Sequence, residues 1–409
     1  MQARAKLPLR VVILGAGYAG QIAAARIARK RSLVELTVID PSPVFVHRIR
    51  LHQVAAGQDI PVSPMKAHLP RRARLVQARA ARIDPEARVV HLAPTPDATE
   101  APPVPYDVLL YTLGSIDDRS HVPGAELHTH SVGTRAAAAV VRARIPALAA
   151  RGGRVVVVGG GLTGIEAATE LAEAYPALRL TLVSAGPVGE GLSESARVHI
   201  DHVCARLGIT TRPALRIREV EAGRLRCEDG SELEFDLCLW AAGMRAPTLG
   251  RESGLPVNEI DQLRVDAHLR VLGHEHIFAA GDAASLSDAK APIRMACATA
   301  LPMGAHVGDQ IAGLAHGRSP GRFRFAYVMQ CISLGRRDAV VQMVDGQDRS
   351  VGRVFRGRRA VWIKEAVCRM VAGVMRLERR LGLRLYRWAM PRGPRPTRGV
   401  LAAPPEGRA

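Results

Sequence analysis

Residues 11–20 of the chain read VVILGAGYAG, and residues 155–166 read VVVVGGGLTGIE. In both stretches an apolar, strand-forming run precedes glycines with the spacing G-x-G-x-x-G, and an alanine-rich helical pattern follows. Glycines at this spacing allow a tight turn, close approach of the backbone to a pyrophosphate, and close strand–helix packing. The helix N-terminus then faces the phosphate charge. Two such fingerprints, about 145 residues apart, predict two bound dinucleotides and electron transfer between them.

Length and composition indicate a globular protein. The chain has 409 residues, of which 47% are hydrophobic, which is enough for two or three domains with a large core. No run of about 18 apolar residues occurs, so a transmembrane helix is not expected. Six scattered cysteines form no CxxC pair and no metal-ligand spacing. They predict small buried thiols in a reducing, cytoplasmic compartment and no metal site.

Positive charge is concentrated near the C-terminus. The formal net charge is +19, and 14 basic but only two acidic residues lie between Arg353 and Arg398. Nucleic-acid binding is one interpretation of such a charge, but no aromatic-interleaved or zinc motif accompanies it. We therefore expect no nucleic-acid partner.

Each fingerprint begins a predicted βαβ unit. The first unit ends at Asp40, an acidic residue about 20 positions beyond the last glycine, and the second ends at Ser184. Three further strands end in glycine turns, at Gly114, at Gly243 and at Gly281-Asp282. Other predicted elements are a helix over Thr134–Ala150, a helix that starts near Leu301-Pro302, and strands over Arg324–Ile332 and Ala339–Val344.

With Gly281-Asp282 as the third element, the motif order resembles that of the two-dinucleotide flavoproteins of the pyridine nucleotide oxidoreductase superfamily. The chain most resembles the type II NADH dehydrogenases and the related apoptosis-inducing-factor-like NAD(P)H:quinone reductases, over about residues 10–315. The resemblance implies an α/β fold with two Rossmann-like three-layer nucleotide-binding domains and a small C-terminal α+β domain with a basic amphipathic helical tail. The expected boundaries are 1–120 with 266–320 for a discontinuous FAD-binding domain, 121–265 for the NAD(P)H-binding domain, and 321–409 for the C-terminal domain and tail.

The resemblance also assigns an FAD site. It implies that Asp40 accepts hydrogen bonds from the adenosine ribose and that Asp282 binds the flavin ribityl chain. It further implies that the N–H groups at the start of the helix beside the flavin stabilise negative charge on the ring. The full set of implied FAD-site residues is Gly15, Gly17, Gly20, Asp40, Ala81, Gly114, Gly281, Asp282, Thr299, Ala300 and Leu301.

The second fingerprint resembles a nicotinamide-nucleotide site, with Gly159, Gly161 and Gly164 on the pyrophosphate and Gly243 at the closing turn. Ser184 stands where an NAD-specific site carries an acidic residue, which leaves NADH and NADPH both open. Glu166 matches a family glutamate near the meeting point of nicotinamide and flavin, where it orients the carboxamide or accepts a proton. From the residues alone, Glu166 is equally well a first-turn acid that favours the helix dipole.

The implied reaction is hydride transfer from NAD(P)H to FAD, followed by two-electron reduction of a quinone or a similar small acceptor. Residues 44–58 contain no cysteine, which excludes the dithiol relay of disulfide reductases. His47 and His52 in that segment are candidates for acid–base chemistry, but the interpretation that we prefer is that they are surface or turn histidines. Two alternatives stay open: a reductase of a ferredoxin-like redox protein, and a non-enzymatic, nucleotide-sensing flavoprotein scaffold.

The tail predicts a basic amphipathic helix that lies on an anionic membrane surface, at the inner face of the cell membrane. The alternative is a helix that packs on its own domain or on a second subunit of a homodimer. The predicted apolar face comprises Ile363, Val367, Met370, Val374, Leu377, Leu381, Leu385 and Trp388.

Overall fold

Two sheets organise the fold, one mainly parallel and one entirely parallel, and a central strand of each leads into one of the glycine-rich turns. The computed structural model describes residues 7–29, 33–94, 102–287, 293–319 and 321–391. The predicted α/β class with two Rossmann-like units is confirmed. An antiparallel sheet near the C-terminus is called the third sheet below, and four smaller sheets complete the described residues. The domain boundaries themselves stay a prediction.

The N-terminal part contains the first predicted βαβ unit. Its elements are β1 (Leu9–Leu14), α1 (Tyr18–Ile27), β2 (Val34–Ile39), β3 (Val44–Val46), α2 (Leu51–Ala55), β4 (Val62–Pro64), β5 (Arg74–Val76), β6 (Ala80–Asp84), β7 (Val89–Leu92), β8 (Val104–Pro105), β9 (Val108–Tyr111) and β10 (Ile116–Asp117).

The middle part contains the second unit. Its elements are α3 (Ala125–His128), α4 (Arg135–Ala150), β11 (Arg154–Val158), α5 (Leu162–Ala174), β12 (Arg179–Val183), α6 (Glu194–Arg206), β13 (Thr210–Arg212), β14 (Ile217–Glu221), β15 (Arg224–Cys227), β16 (Glu232–Glu234), β17 (Leu237–Trp240), β18 (Met244–Arg245) and α7 (Leu249–Glu252).

The chain then returns to the first sheet and ends in the third. These elements are β19 (Leu263–Val265), β20 (Arg270–Val271), β21 (His274–Ala279), β22 (Ala284–Leu286), α8 (Cys297–Leu314), β23 (Met329–Ser333), β24 (Ala339–Val344), β25 (Ser350–Arg356) and α9 (Gly357–Leu381).

The first sheet has the strand order β22-β19-β20-β21-β9-β1-β2-β5, in which β1 pairs in parallel with β2 and β9. The second sheet has the order β13-β12-β11-β17, with all strands parallel. Each central strand, β1 or β11, therefore leads directly into its glycine turn at the carboxyl edge of its sheet. In doubly wound sheets, ligands bind at this edge.

Helices α1 and α8 pack closely on one another beside the first sheet. A Cβ on Gly304 would lie 2.3 Å from the Ala19 carbonyl oxygen, so only glycine permits this crossing. The predicted start of α8 near Leu301-Pro302 is wrong, because the helix begins at Cys297. The Thr299 hydroxyl donates to Ala296 O at 2.7 Å, which stabilises this earlier first turn.

Helix α9 packs on the third sheet and on α1, and the face that it turns inward differs from the predicted apolar face. Its buried residues are Ala360, Val371, Met375 and Glu378, whereas Met370, Leu377 and Leu381 are exposed. The helix ends at Gly382, which adopts a left-handed conformation with φ of +64°. Leu385 and Trp388 therefore lie beyond the helix, and Trp388 Nε1 donates to Arg324 O at 2.8 Å.

A buried arginine explains this rotation. The Arg26 side chain of α1 is 2% exposed and forms a bidentate pair with Glu378, which is 1% exposed. The same guanidinium contacts Asp309 of α8 at 2.7 Å and donates to Tyr386 O. A buried charge requires such partners, so the pair holds the end of α9 against the N-terminal part of the chain. Among the described residues, no helix is both long enough and apolar enough to cross a bilayer.

Candidate functional site

The first glycine turn leaves open space where a pyrophosphate would lie. Gly15 has φ of +91°, and a Cβ there would lie 2.5 Å from Thr112 O. A Cβ on Gly20 would lie 2.0 Å from Gly15 O, so Gly20 lets α1 pack against the turn. Gly17 has no atom within 4 Å of its Cβ position. This open side at the N-terminus of α1 suits an anionic diphosphate.

Asp40 fixes the shape of this turn. Its Oδ2 accepts from Ala16 N at 2.7 Å, and its Oδ1 accepts from Ser42 N at 2.8 Å. A carboxylate has further lone pairs, so these bonds leave room for a ribose hydroxyl. Ala81 lies at an irregularity in the pairing of β6 with β7, between Ala80 and Arg82. The ribose role of Asp40 and the adenine role of Ala81 stay predictions.

Asp282 meets the turn at Gly114-Ser115, as expected for a flavin site. Its Oδ2 accepts from Ser115 Oγ at 2.8 Å, whereas its Oδ1 is buried without a hydrogen-bond partner among the described residues. Burial raises the pKa of this carboxyl. Arg48 Nη1 donates to Ser115 O at 2.6 Å, a contact that the sequence did not predict. An unpartnered buried oxygen needs a donor, and a ribityl hydroxyl of FAD supplies one, so the residues fit this cofactor.

The start of α8 differs in detail from the expectation for the flavin ring. Thr299 N and Ala300 N both donate to Ala296 O, at 3.1 and 3.0 Å. The N–H groups of Thr299 and Ala300 therefore already form hydrogen bonds within the helix. Leu301 follows Ala300 and lies further inside the helix. Because the helix begins earlier than predicted, the N–H groups at its first two positions, Cys297 and Ala298, are the ones free of helical partners.

The second glycine turn repeats the geometry of the first. Gly159 has φ of +124°, a Cβ on Gly164 would lie 1.8 Å from Gly159 O, and Gly161 faces open space. Ser184 is 6% exposed and packs against Gly160, where a Cβ would lie 2.2 Å from Ser184 Oγ. Gly243 closes the turn after β17 with φ of +88°. The residues therefore fit a dinucleotide, with no carboxylate at position 184 to oppose a 2′-phosphate.

Glu166 lies in the first turns of α5, where it contacts two parts of the C-terminal region. Its Oε1 accepts from Lys364 Nζ of α9 and from Ser333 N at 3.0 Å. His52 Nδ1 is 3.7 Å from Glu166 Oε2. Burial alone would raise the pKa of Glu166, but Lys364, His52 and the Ser333 amide together hold it below its ordinary value. Glu166 is therefore an ionised, buried carboxylate rather than a simple first-turn acid.

The sequence analysis missed Lys364 and favoured the wrong interpretation of His52. Lys364 carried one signal, since it is the only lysine among the arginines between Arg353 and Arg398. The interpretation of His52 as a surface or turn histidine is wrong, because its side chain is 5% exposed and lies between α2 and α5. His47 is half-buried, and its Nδ1 lies 3.2 Å from the phenolic oxygen Oη of Tyr18.

The cysteines do not form a dithiol centre in the described residues. All six are free, and Cys297, Cys331 and Cys368 are half-buried near the Glu166 site. Burial raises the pKa of Cys297 to about 11 and that of Cys331 to about 12, so both are protonated at neutral pH. Within the same residues, no group of three or more His, Cys, Asp and Glu side chains is arranged to hold a metal ion.

Comparison with known proteins agrees with this geometry. The family model described as pyridine nucleotide-disulphide oxidoreductase matches residues 9–307. An NADH dehydrogenase-like protein of Mycobacterium tuberculosis is 28% identical over 383 residues, covering 88% of this chain and 92% of that protein. A type II NADH:quinone oxidoreductase of Staphylococcus epidermidis is 24% identical, covering 88% and 94%.

The fold has solved counterparts as well. The structure of NDH2 from Plasmodium falciparum in complex with NADH aligns with a TM-score of 0.78 at 14% identity, covering 91% of this chain and 97% of that one. The chain belongs to the pyridine nucleotide-disulphide oxidoreductase family. It is accordingly an NAD(P)H oxidoreductase that uses FAD as its cofactor.

Proposed function

We propose that the protein passes two electrons from NAD(P)H, by way of FAD, to a quinone at the inner face of the cell membrane. The observation that carries this proposal is the double role of α9. One face of the helix places Lys364 on Glu166, and the opposite face carries exposed apolar and basic side chains. The curated relatives, named as NADH dehydrogenase-like and NADH:quinone oxidoreductases, support the same acceptor class.

Bound FAD supplies the capacity to accept a hydride and to pass on two electrons. The chain contributes binding, orientation and proton handling. The two glycine turns hold the dinucleotides, and Asp282 holds the flavin side chain. Glu166 is the group that we propose to hold a proton for the acceptor, while Lys364 keeps it ionised between turnovers.

The exposed face of α9 supports the membrane assignment. Trp362 is 76% exposed, and Met370, Leu377 and Leu381 follow at helical spacing, with exposures of 54%, 47% and 57%. Exposed arginines flank this row: Arg358, Arg359, Arg369, Arg376 and Arg380. An apolar row with flanking cations suits an anionic bilayer surface, where each cation contributes about 1 kcal/mol.

The electron path is tested in two half-reactions. Under anaerobic conditions NADH or NADPH should bleach the yellow protein, and a short-chain benzoquinone should restore the colour rapidly. Comparison of NADH with NADPH also shows which nucleotide the site beside Ser184 accepts. Slow reoxidation by every quinone, together with fast reoxidation by a ferredoxin-like protein in a salt-sensitive manner, would instead select the redox-protein alternative.

The membrane surface is tested by co-sedimentation with phosphatidylglycerol vesicles. Substituting Trp362, Met370, Leu377 and Leu381 together by glutamine should reduce pelleting at least tenfold, because the apolar row is lost. A matched control replaces Leu127, Val140 and Val198, which are exposed elsewhere. Equal pelleting of both variants and the parent would remove the membrane assignment. A homodimer stays a prediction that the same preparations test by light scattering.

A further inference from the structure

A buried carboxylate–histidine cluster, consisting of His52, Glu166 and Glu170, extends from the Glu166 site toward the surface. His52 Nδ1 is 3.7 Å from Glu166 Oε2, and His52 Nε2 is 4.0 Å from Glu170 Oε2. The two glutamates are four residues apart on α5, so their carboxylates lie on one helix face, one on each side of the imidazole. The imidazole ring therefore lies between the two carboxylates, and no hydrogen bond joins them directly.

Two atoms of this cluster lack a partner. His52 Nε2 and Glu170 Oε2 are both buried without a hydrogen bond in the described part of the chain. Such atoms destabilise a fold, and they call for a functional explanation. Both gaps exceed a hydrogen bond by about 1 Å or less, so a small rotation of the ring closes one gap or the other. The arrangement suits a group that makes each contact in turn.

The charges around His52 favour a neutral ring. Burial is the main influence, and it lowers the pKa of His52 to about 4 against the attraction of Glu166. Burial also raises the pKa of Glu170. The cations that face the ring from the packed elements are Lys364 of α9, Arg336 of the β23–β24 turn and Arg50 before α2. A neutral imidazole accepts at one nitrogen and donates at the other.

The outer end of the cluster lies close to solvent. Glu170 has 0% side-chain exposure, but its Oε1 accepts from Gln58 Nε2 and is 3.8 Å from Arg336 Nε. The Arg336 side chain is 37% exposed. Two partly exposed residues, Gln58 and Arg336, thus contact the buried Glu170 carboxylate.

The proposed reaction needs a proton from solvent. Reduction of a quinone to a hydroquinone takes two electrons and two protons, whereas a hydride brings two electrons and one proton. Each turnover therefore takes up one further proton. Resting on the proposed function, we infer that His52 carries this proton from Glu170 to Glu166, which hands it to the acceptor.

The transfer balances without any further reactant. His52 starts neutral, with its hydrogen on Nδ1. Its Nε2 accepts the proton of the Glu170 carboxyl, and its Nδ1 gives a proton to Glu166. Glu170 regains a proton from water beside Arg336. The starting tautomer of His52 returns when Nε2 gives its hydrogen to water and Nδ1 takes one from water, an exchange with no net change in protons. His52 thus acts only through Glu166: it transfers a proton between the two glutamates and does not touch the acceptor.

A second route to Glu166 has to be distinguished from this one. A cavity of about 20 Å³, room for one water molecule, lies on the Lys364 side of the site. It is lined by Gln53, Ser333, Arg336, Lys364 and Cys368, among others. A proton that enters through this water would bypass His52, so substitution of His52 separates the two routes.

The test compares half-reactions in His52→Gln and Glu170→Gln. Bleaching by NAD(P)H requires no solvent proton and should stay within about twofold of the parent. Reoxidation by a short-chain benzoquinone should slow at least tenfold, with a larger solvent isotope effect. Added imidazole should restore much of the rate in His52→Ala. The matched control is Glu173→Gln on the same helix, whose amide oxygen still accepts from Arg336 N and which should reoxidise at the parent rate.

The outcomes separate this inference from the proposed function. If the parent is bleached but no quinone reoxidises it, the proposed function fails. If the parent reoxidises rapidly and both His52→Gln and Glu170→Gln match it in rate and isotope effect, only the His52 route is overturned. FAD content and thermal midpoint of each variant identify a general folding defect. If one variant has a folding defect, the other variant and the imidazole rescue of His52→Ala decide whether His52 carries the proton.

Discussion

At the scale of single residues, Asp282 carries the most direct information about the cofactor. One carboxylate oxygen accepts from Ser115 Oγ, and the other is buried without a partner in the described residues. Leaving a buried acceptor unpaired costs about 1–3 kcal/mol, and more when the group is charged. A hydroxyl donor bound to this oxygen removes that cost.

Asp282→Ala should therefore weaken FAD binding about 10- to 100-fold, the equivalent of one hydrogen bond to a charged group. Fluorescence titration of deflavinated protein with FAD measures this change. Asp345→Ala, in the exposed turn after β24, is the control and should bind FAD as the parent does. Equal affinity of the Asp282 variant and the parent would exclude a ribityl contact.

The same residue predicts a pH dependence. Burial raises the pKa of Asp282 in the folded chain, so the protonated form is favoured there. Its contribution to stability is complete below the unfolded value, about 4, and is lost as pH rises through the folded pKa. The deflavinated parent should thus lose thermal stability relative to Asp282→Asn as pH increases from about 4. A difference in midpoint that does not vary with pH would contradict this.

At the scale of elements, the two glycine turns act independently. Each is built from one strand, one turn and one helix, and each has a glycine whose added methyl group would strike a carbonyl oxygen of its own turn. Because all the necessary residues are close in sequence, the two units are also what the sequence predicted best.

Gly20→Ala and Gly164→Ala should separate the two nucleotide sites. The first displaces α1 and should give protein with little bound FAD, since the Cβ position lies 2.0 Å from Gly15 O. The second displaces α5 and should give yellow protein whose bleaching by NAD(P)H needs at least tenfold more nucleotide. Absorbance spectra and anaerobic titration distinguish these results. Gly373→Ala, with nothing within 4 Å of its Cβ position, is the control.

The elements that the sequence predicted poorly depend on distant contacts. The rotation of α9 is set by the Arg26–Glu378 pair, whose members are 352 residues apart. Helical periodicity alone assigned Met370, Leu377 and Leu381 to the apolar face, but it did not show which face packs on the protein, because no local signal shows that an acidic residue is buried. The early start of α8 and the burial of His52 likewise follow from packing between segments rather than from local propensity.

At the scale of the whole molecule, the Glu166 site forms where three parts of the chain meet. Residues 48–58, the first turns of α5, and the segment from β23 to α9 each contribute to it. Each fingerprint could be predicted separately, but this junction could not, since its members share no sequence spacing. Among the residues of this site, the family resemblance predicted only Glu166.

Lys364→Met tests the junction. Removing the cation leaves Glu166 buried without its main partner, so its pKa should rise. Quinone-dependent turnover should fall at least tenfold, and the apparent pKa of its pH profile should move to higher pH. Arg369→Met, an exposed position on the same helix, is the control. An unchanged profile in Lys364→Met would show that Glu166 does not govern proton delivery.

The placement of Lys364 on α9 also bears on how such a protein diversifies. The residues that we assign to the two dinucleotide sites belong to the first three quarters of the chain, whereas the cation beside Glu166, on the side that we propose for the acceptor, comes from a late helix. Exchange of that helix in a descendant would alter what receives the electrons and where in the cell this happens. The machinery that draws electrons from the coenzyme would be inherited intact.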